Sequence, residues 1–275
     1  MSPSPKEPLP RIVSLAPNVT SILVAIGVRR ALVGVSRWCA DVAPEVVGLP
    51  RVGDCWKLDV ADVMKLRPDL VIGSVPFRAE VVAKIVGQPI AFLTISPRNL
   101  AGIRSDIRLL GRLANRSEAA EKLIRQMNSA FETVARRASR IAAVKPRVYA
   151  EAWPNPRISS PPWVAELIEV AGGIPVTAAG QKVSDEDVAR ARPDAIVLAW
   201  TATGDRAKTS RAYGVKAWKG VPAIRGRRVF VVRDELLNTP GPPLMEGVRA
   251  LFEVIHQPAR DHDGSRMDPR RRPRC

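Results

Sequence analysis

The chain has 275 residues, 46% of them hydrophobic, with 43 Lys and Arg against 27 Asp and Glu, a formal charge of +16. That length allows one large or two medium α/β domains, and the apolar content excludes a disordered chain. No run approaches the roughly 18 apolar residues of a membrane span, and the opening MSPSPKEPLP lacks the roughly 7–15 residue apolar core of a secretory signal.

Residues 1–10 read as a disordered, Pro-rich start. Residues 11–16 (RIVSLA) form a short apolar strand, and 17–27 a helix for which Asn18 and Thr20 are the candidate caps. The alternation continues as an apolar segment at 31–35, helix 60–66, strand 70–73, helix 79–86, strand 90–93 and helix 100–113. Short apolar strands alternating with amphipathic helices predict a parallel sheet covered on both faces.

Residues 115–143 differ. Leu123, Met127, Phe131, Val134, Ala138 and Ile141 recur at steps of three and four without an intervening Gly or Pro, and Asn115 with Glu118 offers a capped start. This predicts one long helix linking two domains. Beyond Pro146 the alternation resumes, with strands at 147–151, 195–199 and 229–232 and helices at 164–171 and 244–255. The expected organisation is an N-terminal α/β lobe at 11–114, the linking helix at 115–143, a C-terminal α/β lobe at 144–257 and a disordered basic tail at 258–275.

An internal repeat supports two similar lobes. Aligned without a gap, Asp62, Val63, Arg67, Pro68 and Asp69 match Asp187, Val188, Arg192, Pro193 and Asp194. The shared pattern is a helix stopped by Pro, an Asp in the turn, then a buried strand.

These residues, in order along the chain, resemble the ABC-importer periplasmic binding proteins with a helical backbone, which carry cobalamin, haem and ferric siderophores. The resemblance covers roughly residues 11–256. Its marks are Ser14-Leu15-Ala16-Pro17-Asn18-Val19-Thr20 with Gly27, Val33-Gly34-Val35-Ser36, Val52-Gly53 and both Arg-Pro-Asp turns. They continue with Trp163-Val164-Ala165-Glu166-Leu167 leading to Ala171-Gly172-Gly173, Trp218 before Val221-Pro222-Ala223, and the turn Pro240-Gly241-Pro242. The stretch from Glu151-Ala152-Trp153 to Gly173 is most similar to the cobalamin-binding branch.

The resemblance implies two Rossmann-like lobes with parallel sheets, joined by a single long helix, with a ligand cleft between the lobes. Ligands of open parallel sheets sit at the carboxyl ends of the strands, and a corrin or porphyrin offers a wide apolar face for aromatic rings. Trp38, Phe77, Trp153 and Trp200 follow expected strands and Trp56 lies in the loop before the first repeat copy, so these five are the candidate ligand contacts. Trp163 and Trp218 are assigned to packing.

The resemblance further implies cobalamin or a related corrinoid as ligand rather than a covalently bound cofactor, an ABC permease as partner, and an extracytoplasmic location. The opening residues carry no export signal, so a shortened gene model or the cytoplasm remains an alternative to that location. Transporter-coupled relatives carry a docking Glu seven residues before the repeat proline. Glu186 matches it in the second lobe; the first has Ala61 there, with Asp59 and Asp62 nearby. A monomer is expected.

Chemistry is disfavoured by composition. The two histidines, His256 and His262, stand at the end of the last helix and in the tail, so neither a Ser-His-Asp nor a Cys-His arrangement is expected within the lobes. Cys39, Cys55 and Cys275 show no CxxC spacing, and free thiols rather than a disulfide or zinc site are expected. Glu151 is read as a buried strand-end carboxylate that bonds ligand or backbone, and residues 201–205 as a strand-end turn. Haem and ferric siderophores remain as alternative ligands. The different class is a basic nucleic-acid or anionic-surface binder, which is disfavoured because the basic residues are spread along the chain apart from the tail.

Overall fold

The structure is a computed structural model, and it describes residues 9–141 and 144–258. The expected basic tail from 259 onward, most of the Pro-rich start, and the end of the expected long helix at 142–143 therefore lie outside the described residues, together with His262 and Cys275.

The chain divides into two compact units. One runs to Gln126 and takes in Pro240–Pro242; the other holds Met127–Thr239 and resumes at Pro243.

The first unit follows the expected alternation closely. Its elements are β1 (Ile12–Ser14), α1 (Pro17–Ala25), β2 (Leu32–Val35), α2 (Val60–Lys65), β3 (Leu70–Ser74), α3 (Ala79–Val86), β4 (Ala91–Ile95) and α4 (Leu100–Leu113). The four strands form one wholly parallel sheet in the order β2-β1-β3-β4. Val13, Val71 and Ile72 in the middle strands are fully buried, as expected of a parallel sheet covered on both faces.

The expected caps of α1 are corrected. Its N-cap is Ala16, which offers no side-chain bond, and Pro17 opens the helix. Proline suits that first position because its missing N–H would have had no intrahelical acceptor. Asn18 and Thr20 face inward instead: Asn18 Nδ2 donates to Ser74 Oγ (3.3 Å), and Thr20 Oγ1 donates to Ser14 Oγ (2.8 Å).

Helix α5 (Ser117–Ala138) has 22 residues, about 33 Å at 1.5 Å per residue, and the division between the units falls inside it. Leu123, Met127, Phe131, Val134 and Ala138 are buried as their spacing predicts, whereas Ile141 is exposed beyond the last turn. Asn115 does not cap it. Its backbone is left-handed (φ 51°), and Arg116 N–H bonds back to Gly111 O of α4, so Asn115 ends the preceding helix.

The second unit contains β5 (Arg147–Pro154), β6 (Arg157–Ser159), α6 (Pro162–Val170), β7 (Ile174–Pro175), α7 (Asp185–Ala191), β8 (Ala195–Leu198), α8 (Ser210–Tyr213), α9 (Pro222–Arg225), β9 (Val229–Val231), α10 (Asp234–Asn238) and α11 (Leu244–Ile255). β5 pairs in parallel with β7 and β8, and β8 with β9. Among the described strands, β6 departs from the parallel pattern, returning antiparallel along the end of β5 as a hairpin. The sequence reading stopped that strand at Glu151 and missed the hairpin.

The repeat is reproduced down to single hydrogen bonds. Arg67 and Arg192 both take left-handed backbone (φ 45° and 44°). Asp69 accepts the backbone N–H of Arg11 at 2.7 Å, and Asp194 that of Arg147 at 2.8 Å. Arg11 donates its side chain to the carbonyl of Leu66 (2.7 Å) and Arg147 to that of Ala191 (2.8 Å), the matching position. In each copy the Asp fixes the start of the neighbouring strand, and the arginine caps orphan carbonyls at the helix end.

Candidate ligand-binding site

In the first unit, aromatic side chains follow β2 and β3 and stand in the loop before α2. Beyond β2, Ser36 N–H bonds Ser14 O, and the Cys39 thiol is buried among Ser14, Thr20 and Ser36, with Thr20 Oγ1 at 3.0 Å and Ser36 Oγ at 3.2 Å. Burial pushes that thiol above its usual range, against the pull of these hydrogen bonds, so Cys39 acts as a neutral anchor. It fixes the turn on which Trp38 stands, half-buried.

The partner of Trp38 is Asp54, a buried carboxylate. Its Oδ2 accepts the indole Nε1–H at 3.0 Å, while Oδ1 accepts the backbone N–H of Trp56 (2.9 Å) and Lys57 (3.0 Å). Gly53 makes this tight turn sterically open, since a Cβ there would overlap the Lys57 carbonyl that receives Asp54 N–H. Arg37 stacks over Trp38, with Cζ 4.3 Å from the ring centroid and Nε 3.6 Å from Asp54. Trp56 is 55% exposed. Phe77 packs across Gly73, where a Cβ would collide with its ring, and meets Phe92 edge-on at 5.7 Å. Its neighbour Arg78 donates its N–H to Cys55 O, which joins this segment to the Asp54 loop.

The second unit holds a parallel arrangement. Glu151 of β5 is fully buried. Its Oε1 accepts the indole Nε1–H of Trp200 at 2.8 Å, and its Oε2 accepts Tyr149 Oη–H at 2.8 Å and a short bond from Arg157 Nη1. Glu151 thus bonds three side chains, where the sequence reading expected ligand or backbone. Burial, then the adjacent Glu151 charge, hold the Tyr149 phenol far above its ordinary range, so it stays a donor. Burial alone would lower the Arg157 guanidinium, but the Glu151 carboxylate outweighs it and keeps Arg157 above its usual value. Arg157 also bonds Asp185 (2.8 Å) and lies 4.3 Å over the Trp218 ring.

A cavity of about 330 Å³ opens on this network, lined by Glu151, Pro154, Asn155, Arg157, Trp200, Arg211 and Ala212. Arg211 Cζ stands 5.6 Å from the Trp200 ring centroid. The turn behind Trp200 is clamped from α10: Asp234 accepts Ala202 N–H (2.9 Å) and Gly204 N–H (2.7 Å), and Asn238 Nδ2 donates to Ala199 O (2.8 Å).

Of the five candidate contacts, Trp38 follows β2, Trp56 lies in the loop before α2 and Phe77 follows β3, all in the first unit, and Trp200 lines the cavity of the second. Trp153 is 41% exposed on the β5–β6 hairpin, its Nε1–H bonded to Asn155 O (2.8 Å), and does not line the cavity. Trp218 is fully buried against Tyr149 at 6.1 Å, and Trp163 donates to Leu237 O at 2.8 Å. Glu186, Asp59 and Asp62 are exposed; Asp59 caps α2 through Ala61 N–H, and Asp62 pairs with Lys65. Sequence reasoning missed Asp54, Arg157 and Arg211. Asp54 was signalled by Gly53 before it, whereas nothing local marks Arg211.

Cys39 and Cys55 are both free and buried. His256 bonds Ala171 O at the end of α11. Among the described residues no group of three His, Cys, Asp or Glu could hold a metal ion, and no helix is long and apolar enough to cross a membrane.

Two buried carboxylates, each holding a tryptophan beside an arginine, one in the loop before α2 and one in β5, describe a binding scaffold. Residues 12–236 match the periplasmic binding protein family, and the chain belongs to it. Members of this family are substrate-binding transport proteins, and this chain is one of them rather than an enzyme. It is 29% identical to an uncharacterized ABC transporter substrate-binding lipoprotein, YvrC, of Bacillus subtilis, over 91% of this chain and 81% of that one. It is 26% identical to the vitamin B12-binding protein of Vibrio parahaemolyticus, over 90% of each. Among solved structures it is similar to a periplasmic heme-binding protein from Pseudomonas aeruginosa, with TM-score 0.77, 26% identity, and 92% and 95% of the two chains covered.

Proposed function

We propose that this protein captures a planar metal chelate, a corrinoid of the cobalamin type, for delivery to an ABC permease outside the cytoplasm. The observation that carries this reading is the tryptophan fixed by a buried carboxylate in each unit, Trp38 on Asp54 and Trp200 on Glu151. A ring fixed by its own N–H loses little further entropy when a macrocycle packs on what it exposes: Trp38 is half-buried beneath Arg37, and Trp200, 5% exposed, lines the cavity. Similarity over nine-tenths of the chain to a vitamin B12-binding protein supports the corrinoid. The candidate permease contacts are the exposed Glu186 with Asp59 and Asp62.

Haem is the second reading, supported by the similarity to a heme-binding structure at 26% identity. Tryptophan fluorescence during titration with cyanocobalamin and, separately, haem tests both. Saturable quenching by cobalamin, weakened by Trp38→Ala, is the expected result. Saturation by haem alone moves the protein to the second reading, and no response to either removes both.

A further inference from the structure

Resting on the metal-chelate reading above, we infer that the ligand presents an oxyanion, a carboxylate or a phosphodiester, to the cavity of the second unit, and that Arg211 receives it. The cavity walls carry one carboxylate and two guanidiniums. Glu151 is buried and already accepts three donors, so its lone pairs are committed. Arg157 is committed as well, shared between Glu151 and Asp185 and stacked on Trp218. Arg211 is different. It is exposed, stands over the edge of Trp200, and among the described residues no carboxylate lies within ion-pair distance of it.

The surrounding chain strengthens the charge. Residues 206–228 contain eight Lys and Arg and no Asp or Glu, against a net charge of +16 for the entire protein. Most of these cations are exposed, so the segment that carries Arg211 to the cavity is uniformly basic, which favours the approach of anions. An arginine beside an indole face offers paired N–H donors to an oxyanion while the ring packs on the carbon skeleton that bears it. At about 330 Å³ the cavity lies near the lower end of ligand sites of roughly 300–1,000 Å³, which suits the edge of a macrocycle and its substituent rather than a whole ring.

Both tetrapyrrole sources carry such a group: haem has propionates, and cobalamin has the phosphodiester of its nucleotide loop. Their matched analogues, haem dimethyl ester and cobinamide, lack it. The experiment titrates the wild-type protein and Arg211→Gln with all four compounds by tryptophan fluorescence, with circular dichroism to verify folding. The expected result is that Arg211→Gln weakens the anion-bearing parent about tenfold or more, the scale of a charge-assisted hydrogen bond. The same substitution leaves the analogue unchanged, and added salt shrinks the parent's advantage. If Arg211→Gln weakens parent and analogue equally, or neither, the inference is overturned while the chelate reading stands. If neither parent binds wild-type protein, the chelate reading falls and this inference falls with it.

Discussion

The two units use one device on different supports. In the first, Asp54 holds the Trp38 indole from a loop, and its other oxygen is taken by two backbone N–H groups. In the second, Glu151 holds the Trp200 indole from within a strand, and its other oxygen is taken by a phenol and a guanidinium. Asp54 thus organises its own turn, whereas Glu151 is the hub of a side-chain network reaching β6, β8 and Trp218. A carboxylate fed by backbone donors survives small losses through water, while a fully buried hub leaves an uncompensated cation when it is removed.

The sharpest way to break this comparison is to remove each carboxylate. Glu151→Ala is expected to cost about 3–5 kcal/mol, because Arg157 would be left charged without its buried partner. Asp54→Ala is expected to cost about 1–3 kcal/mol, since its donors lie nearer solvent. Urea unfolding of the two variants checks the order, and equal costs would show that the supports do not matter.

The turns that repeat between the units sharpen it from the opposite side. Asp69→Ala and Asp194→Ala each remove the bond to the neighbouring strand's first N–H and are expected to cost about 1–2 kcal/mol, equal to within about half a kcal/mol. Their caps differ. Ser184 forms a reciprocal capping box with Asp187, whereas Asp59 makes a single bond to Ala61 N–H. Ser184→Ala is expected to cost about 1 kcal/mol and Asp59→Ala somewhat less, read from thermal melts.

A pH-dependent effect sits on α4 of the first unit. Asp106 on α4 has a buried Oδ2 that finds no hydrogen-bond partner among the described residues, and burial pushes its carboxyl from 3.8 up to about 6. Between those values the native state holds more protons than the unfolded chain, so this carboxyl costs stability fully above about 6, and that cost is relieved as pH falls toward 3.8. Asp106→Asn is therefore expected to raise the melting temperature at pH 8 and leave it unchanged at pH 4. An equal change at both pH values would place the cost in packing instead.

Much of the fold was legible because burial writes a period into sequence. Helices 79–86, 100–113 and 244–255 were read with the same ends the structure shows, since their apolar stripes stop at Gly, Asn or Pro. The caps of α1 and α5 were misread because Asn18, Thr20 and Asn115 have hydroxyl or amide groups that suit a helix start equally well when they point elsewhere. The β5–β6 hairpin was missed because Pro154, the last residue of β5, and Pro156 in the turn read as the end of a strand.

The site was legible only in its aromatic half. Trp38 and Trp200 follow apolar runs, and strand ends can be counted, so their place at the carboxyl edge of a sheet could be inferred. That Trp38 finds a carboxylate 16 residues away and Trp200 one 49 residues away could not. By itself the sequence determined two parallel α/β sheets, a long helix and a repeated Arg-Pro-Asp turn, because periodicity, proline and the reach of a short Asp side chain act locally. Only the tertiary structure decided which carboxylate holds which indole, and that Arg157 is shared between Glu151 and Asp185. Those pairings depend on distances between residues that the chain order leaves unspecified.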